Sequence, residues 1–359
     1  MNDSSAPYFD RNTTNILKGI ALIMMFIHHF FTFPAWWGEG VSYPLLEKLA
    51  PYFCTPFKLC VPVFCFLTGY FYFYNEKKTY KYSLRKITDI LISYWCVFFI
   101  FAIIAVVCLN YPYTLENFVK ESFAVYYPTM TFCWYVNFYI AFMLIIPLVT
   151  KVMSKNICLD LILTFVIIPL ALRTVIFFAR NSIVNEVFGN LHAWFPIVLL
   201  GYIFASYHLF ERVSDFNTKM IRNRGCNIVL SIIIACVVPM GRWAEPLMTI
   251  TFTRFPQIYI SMDAFYTPVF IYAVVNLCRE INLKQIHFVL IQIGKYSLLM
   301  WFLSCAFFNN CAWIFQPVLY YPHNPVLVTI WGLILCFVPS YILDIGIKKI
   351  QNIKNRVFK

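Results

Sequence analysis

The chain has 359 residues, of which 61% are hydrophobic and only 12% charged, with a formal net charge of +12 and a mean hydropathy of +0.71. An ordinary soluble domain carries roughly a quarter of its residues as charges, so this chain has too little polar surface to coat itself and takes lipid as its solvent. The positive balance is no nucleic-acid footprint, because the basic residues sit in short loops between apolar runs and not on a polar face with interleaved aromatics. Spans of about 20 apolar residues fall at roughly 15–34, 56–75, 88–109, 132–152, 157–178, 192–209, 227–242, 259–278, 288–309 and 325–347. The sequence therefore predicts an all-α, polytopic integral membrane protein of about ten transmembrane helices. It forms a single membrane domain over 1–359, with a core at about 11–350 and short tails.

In chain order, the first span carries Lys18, His28 and His29. It lacks a basic leader and a small-residue cleavage site, so it is expected to be retained as a helix. The second ends in the aromatic run Tyr70 to Tyr74, suited to a membrane interface. Its Thr68-Gly69 pair reads as a close-packing point between helices. Arg85 and Lys86 open the third span, and the longest outer loop follows it. The fourth holds Trp134, Asn137 and Tyr139, and the ninth holds Lys295 and Trp301. Thirteen cysteines lie mostly inside apolar segments, as at Cys60, Cys65, Cys96, Cys236 and Cys336, with no paired C-x-x-C spacing. They read as small hydrophobes, and no metal site is indicated.

Lys and Arg set the orientation. With the N-terminus inside, Arg11, Lys77, Lys78, Lys81, Arg85, Lys86, Lys151, Lys155, Arg212, Lys219, Arg222, Arg224, Arg279, Lys284, Lys348, Lys349, Lys354, Arg356 and Lys359 fall on the inner side. Only Lys48, Lys58, Lys120, Arg173, Arg180, Arg242 and Arg254 fall outside. The positive-inside rule then makes both termini cytoplasmic, in agreement with an even number of spans.

A lysine and two histidines in one span are expensive in hydrocarbon, so they are expected to face protein or water and to serve a function. Lys18 and His29 are eleven residues apart, which returns them to within about 20° of one helix face with a rise of about 16 Å. His28 lies about 80° away. A cation near the cytoplasmic surface and an imidazole deeper along one stripe suit a long anionic donor, with lysine for phosphate and histidine as general base. The alternative is that Lys18 snorkels to the interface while the histidines satisfy interhelical hydrogen bonds.

Leu17-Lys-Gly-Ile-Ala followed by His29 resembles the opening signature of the acyltransferase 3 family. Further resemblances follow in order. They are Val61 to Tyr70 with its Thr-Gly-aromatic end, Arg85-Lys86 before Tyr94-Trp95, Trp134 through Pro147, and Gly294 to Trp301. Together they cover about residues 11–350. Four positions depart from the family's pattern: Lys18 stands for an arginine, Ser304 for a histidine, and Tyr139 and Ile140 for glutamates. The resemblance implies an O-acyltransferase of ten helices that moves an acetyl group from cytoplasmic acetyl-CoA to a hydroxyl of a cell-surface or exopolysaccharide glycan, or its lipid-linked precursor. Its partners would be acyl-CoA, the glycan acceptor, the bilayer and polysaccharide-assembly proteins, with no nucleic acid and no permanently bound cofactor. A bacterial cytoplasmic membrane would be its location.

The resemblance makes His29 the catalytic base, with Lys18, Arg85 and Lys86 holding the phosphates of the donor. For Arg85 and Lys86, positive-inside anchoring is the alternative. Cavity candidates are His28, Trp134, Asn137, Tyr139, Lys295 and Trp301, with packing the alternative for the aromatics. Asp89 and Glu280 are the expected partners of Lys295. His192, Arg242, Glu245, Arg254 and Asp263 lie where an acceptor sugar would arrive, and exposed loop charge is their other reading. A transporter or flippase for a lipid-linked glycan is the alternative function, since buried charges also mark transport pathways.

Overall fold

The computed structural model describes residues 6–357 apart from 39, 76–77, 155, 180, 245–261 and 310. Glu245 and Arg254, and the loop charges Lys77, Lys155, Arg180 and Lys359, lie outside the described residues. Among the described residues the chain is helical without strands. A backbone removed from water must pair its own N–H and C=O groups, and a helix does so within one segment.

The helices are α1 (Arg11–Phe31), α2 (Pro44–Cys54), α3 (Cys60–Phe73), α4 (Tyr80–Leu109), α5 (Leu115–Ser122) and α6 (Trp134–Val152). A span at Ile157–Phe178, here α7, contains a π turn at Leu163–Ile167 just before Pro169. There follow α8 (Ser182–Ser206), α9 (Leu209–Met220), α10 (Arg224–Met240), α11 (Asp263–Glu280), α12 (Lys284–Ser304), α13 (Ala312–Tyr320) and α14 (Pro325–Val357). Polar residues start several of them. Asn156, Asn181 and Asn223 each accept two backbone N–H groups at the head of α7, α8 and α10, and Thr79 and Thr114 do the same once for α4 and α5. Each such cap typically contributes about 1 kcal/mol.

Nine helices among the described residues are long and apolar enough to cross a membrane. The predicted span at 259–278 corresponds to α11, whose leading residues fall outside the described set. Its 18 residues include three charges, Asp263, Arg279 and Glu280, which keep it out of the nine. The first span is also displaced: α1 begins at Arg11 and ends at Phe31, so His29 lies in its last turn.

Two compact units are distinguishable. The first comprises Met1–Met25, Tyr52–Lys78 and Leu148–Lys295, and the second comprises Phe26–Pro51, Thr79–Pro147 and Tyr296–Lys359. In the first unit α3 and α8 meet backbone to backbone. A Cβ on Gly69 would overlap the Val198 carbonyl, and one on Gly201 would overlap the Phe66 carbonyl. Without side chains at these points the helices approach closely enough to gain van der Waals contact, the main attraction available between helices in lipid. The same device joins α1 to α12, where Gly19 lies on the Leu290 backbone and Gly294 on that of Asn15. Gly69→Leu and Gly201→Leu are each expected to abolish the monodisperse peak of detergent-solubilised protein in size-exclusion chromatography. Gly189→Leu is expected to leave the peak intact, since nothing lies within 4 Å of a Cβ there.

The first unit also holds a buried ion pair. Arg242 and Asp263 are bonded through Nη1 and Oδ1, with side chains only 3% and 2% exposed. This corrects the reading of these two as exposed loop charges: they sit between α10 and the head of α11, inside the protein. In the second unit, Lys354 near the end of α14 pairs with Asp89 on α4.

Candidate functional site

His29 stands at the C-terminal end of α1, where a helix leaves its last carbonyls unpaired. Two donors from outside the helix satisfy one of them: the Trp37 indole and the Tyr320 hydroxyl both donate to the Phe30 carbonyl at 2.9 Å. The helix end is thereby fixed from two sides. Beside it, the His28 Nδ1 and Thr32 hydroxyl share a hydrogen bond of 2.9 Å.

Two aromatic side chains of the second unit wall the half-buried His29 ring, and a third packs behind them. Phe132 stacks on it with centroids 4.6 Å apart and planes 23° from parallel. Phe308 meets it edge-on at 6.2 Å. Trp36 contacts both, at 5.3 Å to Phe132 and 5.9 Å to Phe308. With a face covered by Phe132, the imidazole has its nitrogen-bearing edge for hydrogen bonding and proton transfer. Imidazole is the side chain most often used as a general base.

Phe132 reaches this position in the left-handed region, at φ 68°. That conformation is a true outlier for a bulky side chain and persists only where surrounding contacts impose it. The contacts belong to the folded loop between α4 and α6. Glu121, completely buried at the end of α5, accepts at Oε1 from the Thr129 N–H at 2.7 Å, the Thr129 hydroxyl at 2.5 Å and the Met130 N–H at 3.1 Å. The Tyr113 hydroxyl donates to Oε2 at 2.6 Å. Burial raises the Glu121 carboxyl above its ordinary pKa, partly offset by these bonds. The loop is also tied to the bundle. Tyr94 donates to the Glu121 carbonyl, Trp95 to that of Ser122 and Asn137 to that of Ala124, each at 2.7 Å.

The other expected site residues divide between the units. Asn137 is buried and spends its amide N–H on the loop, while its Oδ1 has no hydrogen-bond partner among the described residues. Trp134 contacts Tyr135 and Phe138. Tyr135, not singled out in the sequence, joins α6 to Trp301 of α12 at 5.5 Å, and Tyr139 packs on Phe142 at 5.0 Å. Ser304 donates to the Trp301 carbonyl at 2.7 Å and so serves the end of α12. Arg85 is exposed on α4, and Lys86 lies 5.7 Å over the Tyr82 ring.

Lys18 and Lys295 belong to the first unit and directly flank the glycines of the α1–α12 contact, Lys18 half-buried and Lys295 exposed. The carboxylates expected beside Lys295 have cations of their own, Asp89 with Lys354 and Glu280 with Arg224 at 2.9 Å. Asp89 lies in the third turn of α4 and Glu280 is the last residue of α11.

Sequence reasoning missed Trp36, Glu121, Phe132 and Phe308. Glu121 alone left a trace, as one of 16 acidic residues in an otherwise apolar chain. One aromatic among the 20% present carries no local signal.

The fold is that of a multi-pass helical membrane protein, with an aromatic-walled imidazole at the end of its first described helix. The chain belongs to the acyltransferase 3 family: the family's acyltransferase domain matches residues 12–345, nearly the whole length. Comparison with curated proteins and with solved structures gives no match.

Proposed function

We propose that this membrane acyltransferase is an O-acetyltransferase that moves an acetyl group from cytoplasmic acetyl-CoA to a hydroxyl of a cell-surface or exopolysaccharide glycan, or its lipid-linked precursor. It acts in a bacterial cytoplasmic membrane with both termini inside. The observation that carries this reading is the His29 ring, held between the Phe132 and Phe308 rings at the end of α1. The imidazole takes the proton of the acceptor hydroxyl as that oxygen attacks the thioester carbonyl. The C–S bond then breaks, and the imidazolium returns the proton to the departing thiolate. Placement at a helix C-terminus favours the cation formed in between.

Lys18 binds the donor's phosphates, with Arg85 and Lys86 at the cytoplasmic end of α4 assisting. α1 is unbroken from Arg11 to Phe31, so Lys18 and His29 are separated by a rise of about 16 Å, within reach of a donor with a long pantetheine arm. A charged hydrogen bond contributes about 1.5–3 kcal/mol, so Lys18→Ala is expected to raise KM for acetyl-CoA by about tenfold or more with a smaller effect on kcat. Lys18→Arg is expected to restore it. Steady-state kinetics on purified protein decide this, since lost ground-state binding appears in KM. Movement of a lipid-linked glycan across vesicles without acetyl-CoA would instead point to a flippase.

A further inference from the structure

We infer that Glu121 is a positioning residue for His29: its carboxylate fixes Thr129 and Met130, and through them the Phe132 ring that covers the imidazole. The inference rests on His29 being the catalytic base.

Both ring walls that touch the imidazole lead back to one residue, Thr129. On one side its N–H and hydroxyl, with the Met130 N–H, are gathered by a single carboxylate oxygen. The Met130 carbonyl then accepts the Cys133 N–H at 3.1 Å, closing the turn that carries Phe132. On the other side the Thr129 carbonyl accepts the side-chain amide of Asn309, whose Oδ1 accepts the Cys311 N–H at 2.7 Å. Asn309 directly follows Phe308. Each wall is thus hydrogen-bonded within a few residues of its ring to the same short strand of loop.

The strained backbone of Phe132 is the reason this knot matters to the site. A left-handed phenylalanine relaxes once its neighbours stop imposing the conformation, and the ring that relaxes is the one stacked at 4.6 Å on His29. Loop closure by itself does not need so elaborate an acceptor. Four donors converge on one wholly buried carboxylate, and the Tyr113 and Thr129 hydroxyls lie 2.8 Å from each other beside it. Glutamine reproduces the geometry: its oxygen keeps the three bonds to Thr129 and Met130, and its amide donates to the Tyr113 oxygen. Glutamine also matches the size of the side chain it replaces, so the buried space stays filled.

The test uses purified full-length protein in detergent with two readouts. The first is modification of His29 by diethyl pyrocarbonate, followed by mass spectrometry that distinguishes it from His28. Glu121→Ala is expected to label His29 several-fold faster than wild type, with Glu121→Gln close to wild type. The second is turnover, for which a displaced catalytic group costs on the order of 10²-fold. Glu121→Ala is expected to lose about that much in kcat with little change in KM for the donor, and Glu121→Gln to restore most of it.

Should Glu121→Ala fail to fold, Phe132→Ala keeps the knot and removes the cover, and is expected to show the same faster labelling. Wild-type labelling of His29 in Glu121→Ala or Phe132→Ala overturns the inference. So does a Glu121→Gln protein as impaired as the alanine variant. Full turnover in His29→Ala would refute the catalytic reading separately, since the labelling result does not depend on it.

Discussion

His29→Ala is expected to remove at least about a thousandfold of the acyl-transfer activity, within the 10²–10⁴-fold range of a positioned general base. The amount of protein in the membrane is expected to stay normal. The ring packs on Phe132 and Phe308 at the half-buried end of α1, and the end of that helix is secured independently by Trp37 and Tyr320. Losing the imidazole is therefore expected to leave the scaffold intact. The neighbouring histidine is the control. His28 bonds to Thr32 within the last turn of the helix, so His28→Ala is expected to lower activity only a few-fold. Comparison of glycan acetyl content in cells carrying each variant, normalised to immunoblots of membrane fractions, checks both expectations. Equal losses for the two variants would mean that disruption of the helix end, and not His29 itself, is being measured.

Asp263→Ala is expected to have the largest effect on stability. Removing one partner of a buried ion pair leaves the other charge uncompensated in a medium of low dielectric, at a cost of about 3–5 kcal/mol. Arg242 and Asp263 meet that description, with side chains 3% and 2% exposed. Replacing both by apolar residues of similar volume, as in Arg242→Met with Asp263→Leu, removes the charges together and is expected to recover most of the loss. Thermal aggregation midpoints of detergent-solubilised protein, read by size exclusion after heating, compare the variants. The exposed pair Lys120–Glu116 sets the scale from the other side, and Glu116→Gln is expected to leave the midpoint unmoved. A double variant no better than the single one would show that the two residues do more than compensate each other.

These outcomes also mark which parts of the molecule the sequence reveals. Membrane helices are legible because lipid imposes length and apolarity on each segment separately, so nine of the expected spans overlap helices long and apolar enough to cross a membrane, with shifted ends. The span at α11 falls outside the nine because its 18 residues carry Asp263, Arg279 and Glu280. His29 and Lys18 stood out because ionisable groups in a span are expensive. Gly69 was legible because a small residue beside threonine in an aromatic run has few other uses.

The aromatic enclosure was not legible. Trp36, Phe132 and Phe308 lie far apart in sequence; the hydrogen bonds of Glu121, Thr129 and Asn309 join the segments that carry Phe132 and Phe308, and Trp36 packs on both rings. No local pattern encodes that arrangement. Arg242 and Asp263 were misread for a related reason: charges near helix ends look like loop residues until their pairing is seen.

Acyl transfer by this chain is proposed to run through His29. Its most direct measurement is release of free CoA thiol from acetyl-CoA by the purified protein in detergent, alongside His29→Ala protein of the same monodispersity. Thiol release by the wild type and none above background by the variant is the expected result. Thiol release at the same rate by both would contradict it.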